Sequence, residues 1–274
     1  MKKHFLWIAA TTLLVACSTE ETTENPNVSN DWVGFQTQTD FVTEGDDNVA
    51  MELVHENGLA GKGISNELLA VPSCAVVSIN NPGPGQFPKV VTVNFGTGCT
   101  FQGVTRSGVL TITLSGPLYT PGSSLTIERS NYFVNNRQIL GTVVRQNTTQ
   151  TPGIPQWTRT VTGGQIIYPN GETFSFSGTR TIQLIEGFGT PTMADNVYKT
   201  VSGTRTVTRP NNTTLTVTVV QPLIKKFTCA HISQGQVSLV GTNVNGILDY
   251  GDNTCDNQAT FTNQQGQTTT ITLP

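Results

Sequence analysis

Alternation of apolar and polar residues runs through most of this chain after residue 89, and it restricts the fold more than any other feature. Successive side chains of a β-strand point to opposite faces, so a period of two marks a half-buried strand. No stretch between the intervening turns has a helical period. The pattern predicts an all-β body, an antiparallel meander that forms a sandwich or a strongly curved sheet. The predicted strands are 90–95, 109–114, 125–134, 139–145, 158–168, 173–184, 197–208 and 215–224.

The clearest hairpin signal is Tyr168-Pro169-Asn170-Gly171-Glu172. A type I′ turn needs positive φ at both central residues, and Asn-Gly supplies it. A two-residue turn here would place Arg159 opposite Ile182 and Arg180 opposite Val161.

One phrase, Thr-Arg-Thr followed by Val or Ile, occurs in three of the predicted strands. Alternation places its arginines, Arg159, Arg180 and Arg205, on one face together with Trp157. In one interpretation their stems cover apolar sheet while the charged groups reach water. In the other they form a basic stripe, a candidate face for an anionic ligand.

The mature chain has an acidic N-terminal segment and a mildly basic remainder. Residues 18–70 hold eleven acidic residues and one basic residue, whereas residues 71–274 hold seven acidic and twelve basic ones. The basic residues are spread out, which argues against nucleic acid as a partner. A short acidic helix is predicted over residues 40–59. We expect this acidic segment to pack against the arginine stripe; the alternative is that both surfaces are solvated.

Four cysteines mark an internal repeat. Cys99 lies 25 residues after Cys74, and Cys255 lies 26 residues after Cys229. The second cysteine of each pair is the last residue of a similar sequence motif. Four cysteines allow three pairings, and the repeat favours Cys74–Cys99 and Cys229–Cys255 as disulfides in an oxidising compartment. A zinc site is the alternative, but it needs close Cys-x-x-Cys pairs, which the sequence lacks.

The N-terminus has the pattern of an export signal. Lys2 and Lys3 precede a short apolar run, and Leu14-Val15-Ala16-Cys17 follows at once. The run is shorter than the roughly 20 apolar residues of a membrane span. The last four residues resemble a lipobox, which implies cleavage before Cys17 and its acylation, for example with palmitate. An ordinary signal peptide with a chance cysteine is the alternative.

Glu20 and Glu21 follow the cysteine closely. They resemble the acidic export signal of surface-exposed Bacteroidota lipoproteins, although a solvated tether would also contain such residues. The predicted location is the outer membrane, lipid-anchored at the cell surface, with its periplasmic face as the alternative.

Two further motifs carry a wider resemblance. They are Phe95-Gly96-Thr97-Gly98-Cys99 with Arg106-Ser107-Gly108, and Tyr250-Gly251-Asp252 with Cys255-Asp256-Asn257. Over residues 72–274 they resemble a recurrent family of uncharacterised Bacteroidota lipoproteins. The resemblance implies an envelope location, an antiparallel β body and no assigned activity.

The sequence offers little for catalysis or for a cofactor, and none is predicted. The mature chain has two histidines, His55 and His231, and His231 is interpreted as structural because it lies beside a predicted disulfide. Asp249, Asp252 and Asp256 cluster in one loop region and form a weak calcium candidate. Asp and Asn also favour turns by bonding their own backbone, which is the simpler explanation.

These observations favour a lipid-anchored lipoprotein with a non-enzymatic role, binding a glycan or an envelope protein or acting structurally. The alternatives are a secreted hydrolase with a carboxylate-based site and a periplasmic carrier of apolar ligands. The predicted organisation is a signal peptide (1–16), a flexible tether (17–35), an acidic, partly helical segment (36–70) and a β body (71–274) with two related halves, about 71–150 and 151–274.

Overall fold

The structure, a computed structural model, describes residues 26–56, 70–80, 83 and 85–274. The predictions for the signal peptide, for Cys17 and for Glu20 and Glu21 lie outside these residues. Within them the chain has one α-helix, α1 (Pro26–Glu56), followed by fourteen strands. The predicted all-β body with an N-terminal acidic helix is therefore confirmed. No helix of the described residues is long and apolar enough to cross a membrane.

All pairings between neighbouring strands are antiparallel. Thirteen strands follow one another across a single sheet in chain order, and β3 pairs only with β4 at the side of this path. The strands are β1 (Val76–Asn80), β2 (Lys89–Asn94), β3 (Cys99–Phe101), β4 (Val104–Leu114), β5 (Ser124–Val134), β6 (Arg137–Asn147), β7 (Gln156–Ile167), β8 (Thr173–Glu186), β9 (Val197–Thr208), β10 (Thr214–Lys226), β11 (Gln234–Gly241), β12 (Val244–Asp252), β13 (Gln258–Asn263) and β14 (Thr268–Thr272).

The sheet is strongly curved. The evidence is that strands far apart in the sheet contact the same helix. Asp46 of α1 bonds to β5, whereas Asp40 bonds to β9 and β12. A flat sheet or a two-sheet sandwich could not bring these strands around one helix. The sheet does not close, and in the described residues its edge strands β1 and β14 do not pair with each other.

The helix is longer than the sequence pattern indicates. Its range is Pro26–Glu56, so its first ten residues, 26–35, fall in the segment predicted as a flexible tether; the predicted end at residue 59 lies outside the described residues. Trp32 and Val33 are buried, but so are the polar residues 36–40. A helix enclosed on most sides shows no amphipathic period, and its stability comes from tertiary packing rather than from propensity.

The β7–β8 hairpin differs from its prediction. Gly171 has φ of 84°, but Asn170 is not among the residues with positive φ, so the predicted type I′ turn is wrong. The Gly171 amide donates to the Tyr168 carbonyl at 2.9 Å, and Pro169-Asn170-Gly171 forms a three-residue loop. Proline fixes φ near −65° and therefore selects a type I turn followed by a left-handed glycine.

The two halves indicated by the cysteine repeat share one sheet. β6 and β7 lie on either side of the boundary near residue 150, and they pair along most of their length. Both predicted disulfides are present: the Cα atoms are 5.7 Å apart for Cys74–Cys99 and 5.3 Å apart for Cys229–Cys255. Each disulfide therefore closes a local loop, and neither links one half to the other.

Candidate functional site

Arginines form a ladder across four neighbouring strands on the inner face of the sheet. Arg145 of β6 pairs with Arg159 of β7, and Arg159 pairs with Arg180 of β8. Arg205 of β9 lies opposite Gly178, which makes it a diagonal neighbour of Arg180. Four like charges on adjacent strands repel one another, so this ladder requires acidic partners.

The predicted register of this hairpin was wrong. Arg159 faces Arg180, not Ile182, because the loop is one residue longer than assumed and a β-bulge between Val161 and Gly164 adds another residue. A shift of one residue would turn the side chains of a strand to the other face of the sheet, but two such shifts return them to the face that was predicted. The prediction that the arginines share a face with Trp157 is therefore confirmed. All four side chains are buried on the inner face of the sheet: Trp157, Arg159, Arg180 and Arg205.

Helix α1 supplies the acidic partners for the ladder. Asp40, Glu44 and Asp47 are spaced four and three residues apart, which places them on one side of the helix. Arg159 makes the closest pairs: its Nη1 is 2.5 Å from Asp47 Oδ2, and its Nη2 is 2.7 Å from Glu44 Oε1. Arg145 Nη1 also lies 3.3 Å from Asp47 Oδ2.

Asp40 joins the other end of the ladder. Its Oδ1 lies 2.9 Å from Arg180 Nη1 and 2.7 Å from Arg205 Nη1. Its Oδ2 accepts hydrogen bonds from the Tyr250 hydroxyl and, at 2.6 Å, from Gln36 Nε2. One carboxylate of the helix thus connects strands β8, β9 and β12.

A second cluster lies on another side of the helix. Asp46 accepts two hydrogen bonds from Arg129 of β5, at 2.9 Å from Nε and 2.7 Å from Nη2, and a third at 2.6 Å from the Tyr132 hydroxyl. Arg106 of β4 donates through Nε to the same hydroxyl at 3.2 Å. Tyr132 therefore bridges Asp46 and Arg106.

The charged groups of the ladder do not reach water. Arg159, Arg180 and Arg205 are 2–4% exposed, so the interpretation in which their charged groups reach solvent was wrong. Trp157 is 0% exposed, lies 4.9 Å from the Arg145 guanidinium and donates its indole N–H to the Leu118 carbonyl at 3.4 Å. The face predicted for an anionic ligand is occupied by the acidic helix of the same chain, as the packing hypothesis for the acidic segment expected.

The network changes the protonation equilibria of its members. Burial alone would raise the pKa of Asp40, but Arg180, Arg205 and the hydrogen bonds from Tyr250 and Arg205 outweigh it and lower the pKa to about 2. Burial and the neighbouring Arg180 lower the pKa of Arg205 to about 10 despite Asp40. For Glu44, Arg159 overcomes the effect of burial and the pKa is lowered. All of these groups are therefore charged at neutral pH.

We expect the protein to lose stability in acid. The folded-state pKa of Asp40 lies below its ordinary value of 3.8, so its contribution, about 2 kcal/mol, is complete above about pH 4 and is lost as pH falls toward about 2. Glu44 acts in the same direction. Urea midpoints measured between about pH 6 and pH 2.5 should fall mainly below pH 4. A constant midpoint over this range would contradict the assignment.

A cleft of about 120 Å³ lies where α1 is least covered. Phe41, Gly45 and Asn48, one side of the helix, are partly exposed there. The remaining walls come from β3, from the start of β4 with Arg106, and from the loop after β10; these lining residues are Ala70, Phe101, Gln102, Val104, Phe227, Thr228, Cys229 and Ala230. The cleft combines aromatic rings with one buried guanidinium.

The histidines take structural positions. His55 is buried, and its Nε2 lies 2.8 Å from the Pro191 carbonyl oxygen. The His231 ring lies 5.7 Å from the Phe41 ring, and burial lowers its pKa. In the described part of the chain, neither imidazole has a carboxylate as a hydrogen-bond partner.

The calcium candidate residues line one shallow depression beside β12 and β13. Each carboxylate accepts a hydrogen bond from the amide two residues on: Asp249 from Gly251, Asp252 from Thr254 and Asp256 from Gln258. This is the turn-forming arrangement. Among the residues that the structure describes, no group of three or more His, Cys, Asp or Glu could hold a metal ion.

Sequence reasoning missed Arg106, Arg129, Arg145 and Tyr132. None of the three arginines belongs to the repeated phrase, yet each carries a detectable signal. In β5, the alternate positions Leu125 and Ile127 are apolar and face the interior. Arg129 is the next position in this series, and its side chain is fully buried. An arginine at a position where alternation expects an apolar residue indicates a buried guanidinium.

Fold and site together define a class of protein: an all-β protein whose open, curved sheet encloses an acidic helix through buried ion pairs. Comparisons with protein-family models, curated proteins and solved structures find no match for this chain. Its function must therefore be inferred from its own residues.

Proposed function

We propose that this protein is a lipid-anchored lipoprotein of the bacterial outer membrane, exposed at the cell surface, with a non-enzymatic binding or structural role. The observation that carries the proposal is the lipobox-like Leu14-Val15-Ala16-Cys17 after a short apolar run. Two disulfides fit an exported protein, because oxidising compartments preserve them. The resemblance of the motifs around Cys99 and Cys255 to Bacteroidota lipoproteins favours the same location.

The position of the helix fits such an anchor. Only eight residues separate Cys17 from Pro26, so the start of α1 lies within about 30 Å of the lipidated cysteine. Near this end of α1, Phe35 contacts Tyr168 of the β7–β8 hairpin. This hairpin would then lie toward the membrane.

The far end of the helix would then point away from the membrane. His55 contacts Pro191 in the loop between β8 and β9, and Phe188 of the same loop is 45% exposed. The adjoining loops around Tyr119 and Ile154 leave further apolar surface at this end. A partner at the cell surface would meet these loops first.

Two observations favour binding over hydrolysis or transport. A glycosidase-type hydrolase needs two carboxylates that flank an open cleft, whereas Asp40, Glu44, Asp46 and Asp47 of α1 are all held by arginines in the interior. A carrier of apolar ligands needs a dry apolar interior, and here the space inside the curved sheet contains the charged helix. The carboxylates of Asp249, Asp252 and Asp256 do line one depression, but it is shallow and each of them accepts a hydrogen bond from a backbone amide of its own turn.

Cys17→Ser tests the anchor. We expect this variant, expressed in a Gram-negative host, to stay uncleaved and to take up no labelled palmitate, because the thiol is the acceptor for the lipid. The matched control is Ser18→Ala, which keeps the thiol and should be labelled like the wild type. Labelled, membrane-bound Cys17→Ser would overturn the proposal.

A further inference from the structure

Arg106 differs from the other arginines that face the helix. Five of these, Arg129, Arg145, Arg159, Arg180 and Arg205, each form an ion pair with a carboxylate of α1. Arg106 is only 7% exposed, yet among the described residues it has no carboxylate partner. Its one hydrogen bond runs from Nε to Tyr132, which leaves Nη1 and Nη2 without a protein acceptor there.

The free end of Arg106 lies in the cleft beside the helix. A Cβ atom at Gly45 would be 3.0 Å from Arg106 Nη2, so the guanidinium lies directly over this glycine. Phe41, Phe101 and Phe227 line the same cleft. Nη1 and Nη2 have no partner among the described residues and are not fully buried, so they open into the cleft. A largely buried guanidinium that is bordered by aromatic side chains and has no carboxylate beside it is suited to pair with an anion that enters from solvent.

The described part of the interior also has an excess of positive charge. In the described residues, the five paired arginines share four carboxylates, those of Asp40, Glu44, Asp46 and Asp47. A fifth buried carboxylate, Glu52, accepts hydrogen bonds from the amides of Ala70 and Val71. Lys89, Arg106 and Lys225 are three further buried cations, so among the described residues eight buried cations compare with five buried carboxylates.

Lys225 adds its charge close to the cleft. Its Nζ donates to the carbonyl oxygens of Lys226 and Cys229, and Cys229 lines the cleft. Burial lowers the pKa of Lys225 to about 8, so the amine remains mostly protonated at neutral pH. Arg106 and Lys225 therefore both raise the electrostatic potential on the same side of α1.

We propose that this cleft binds a small organic carboxylate, whose carboxylate group pairs with Nη1 and Nη2 of Arg106 and whose apolar part packs against Phe41, Phe101 and Phe227. A guanidinium offers two parallel donors that match the two oxygens of a carboxylate. The cleft, at about 120 Å³, is somewhat smaller than a cavity of about 150 Å³ that holds benzene in another protein, but it is open to solvent, so it would enclose an acid with one ring or a short chain only in part. The site gives a ligand class to the binding role proposed above and rests on that role.

Benzoate titration of the full chain in detergent micelles tests this proposal. We expect saturable benzoate binding by calorimetry that is weakened at least 10-fold in Arg106→Gln, because a charge-assisted hydrogen-bond pair is lost. Arg137→Gln, which removes a partly exposed arginine beside Tyr168, is the matched control and should bind like the wild type. Benzamide, with the same ring and no charge, should bind at least 10-fold more weakly than benzoate.

Several outcomes would overturn the proposal. These are no benzoate binding to the wild type, equal binding to Arg106→Gln, equal binding of benzamide, or binding of inorganic phosphate in preference to benzoate. Circular dichroism serves to check that Arg106→Gln is folded. Arg106→Lys keeps the charge but not the two parallel donors of a guanidinium, and it should bind benzoate with intermediate affinity. None of these outcomes bears on palmitate labelling at Cys17, so failure of the ligand assignment is distinguishable from failure of the anchor.

Discussion

Asp40→Asn is expected to lower the free energy of unfolding by about 3–5 kcal/mol. The asparagine has nearly the same shape but no charge, so Arg180 and Arg205 lose the carboxylate that they share. Both guanidinium groups stay buried: Arg180 keeps only its longer contact with Glu44, at 3.7 Å, and Arg205 keeps no ion pair among the described residues. An uncompensated buried charge costs much more than its ion pair contributes. The Tyr250 hydroxyl also loses a charged acceptor.

Guanidinium chloride unfolding of purified protein measures this loss. Asp31→Asn is the matched control, because Asp31 lies on the same helix but is 61% exposed and 3.7 Å from its partner Arg209. An exposed pair of this kind contributes about 0–1 kcal/mol. Equal stabilities of the two variants would show that the buried network does not hold the helix in place.

Trp157→Ala is expected to lower the free energy of unfolding by about 3–5 kcal/mol. The indole is fully buried, contacts the Tyr119 ring at 5.7 Å and packs against the Arg145 guanidinium. Its removal leaves a cavity and also takes away one of two donors to the Leu118 carbonyl, the other being Asn147 Nδ2. The inner face of the sheet is closely packed against α1, so the surroundings can collapse only partly.

The comparison for this variant is Phe188→Ala. Phe188 also contacts the Tyr119 ring, at 5.4 Å, but it is 45% exposed. Truncation of a half-exposed ring should cost clearly less, about 1 kcal/mol. Thermal unfolding of both variants against the wild type gives the two values, and a loss below about 1 kcal/mol for Trp157→Ala would show that this core relaxes freely.

The charge network specifies one position of the helix. Buried ion pairs often contribute little net stability, because desolvation of both groups offsets their attraction. They do penalise misplacement: a rotation of α1 or a slip by one turn would move Asp46 from Arg129 and Asp40 from Arg205. Apolar contacts such as those of Val33 and Val54 would tolerate such a slip far better.

The sequence alone predicted eight of the strands and their buried faces, but not β1, β3, β11, β12 or β13. All eight predicted segments are strands, since period-two alternation reports directly which face is buried. The cysteine repeat also predicted both disulfides, because each pair closes a local loop. These features depend on residues that are near one another in the chain.

Tertiary structure decided what the arginine face contacts. Alternation placed Arg159 and Arg180 on the same side as Trp157, but it could not show that this side is the concave interior of a curved sheet. The exact register also escaped prediction, because a bulge near Gly163 depends on the packing of both strands.

The acidic helix was predicted, but its N-terminal extent, its burial and the cleft beside it were beyond the reach of sequence patterns. Residues 36–40 of α1 are polar and would be read as exposed, yet the surrounding sheet buries them. Arg106 is one basic residue among many in the sequence, and only the position of α1 leaves it without a carboxylate. Local periodicity thus determined the elements of this protein, whereas burial of charge, which depends on which distant residues meet, was determined by the tertiary fold.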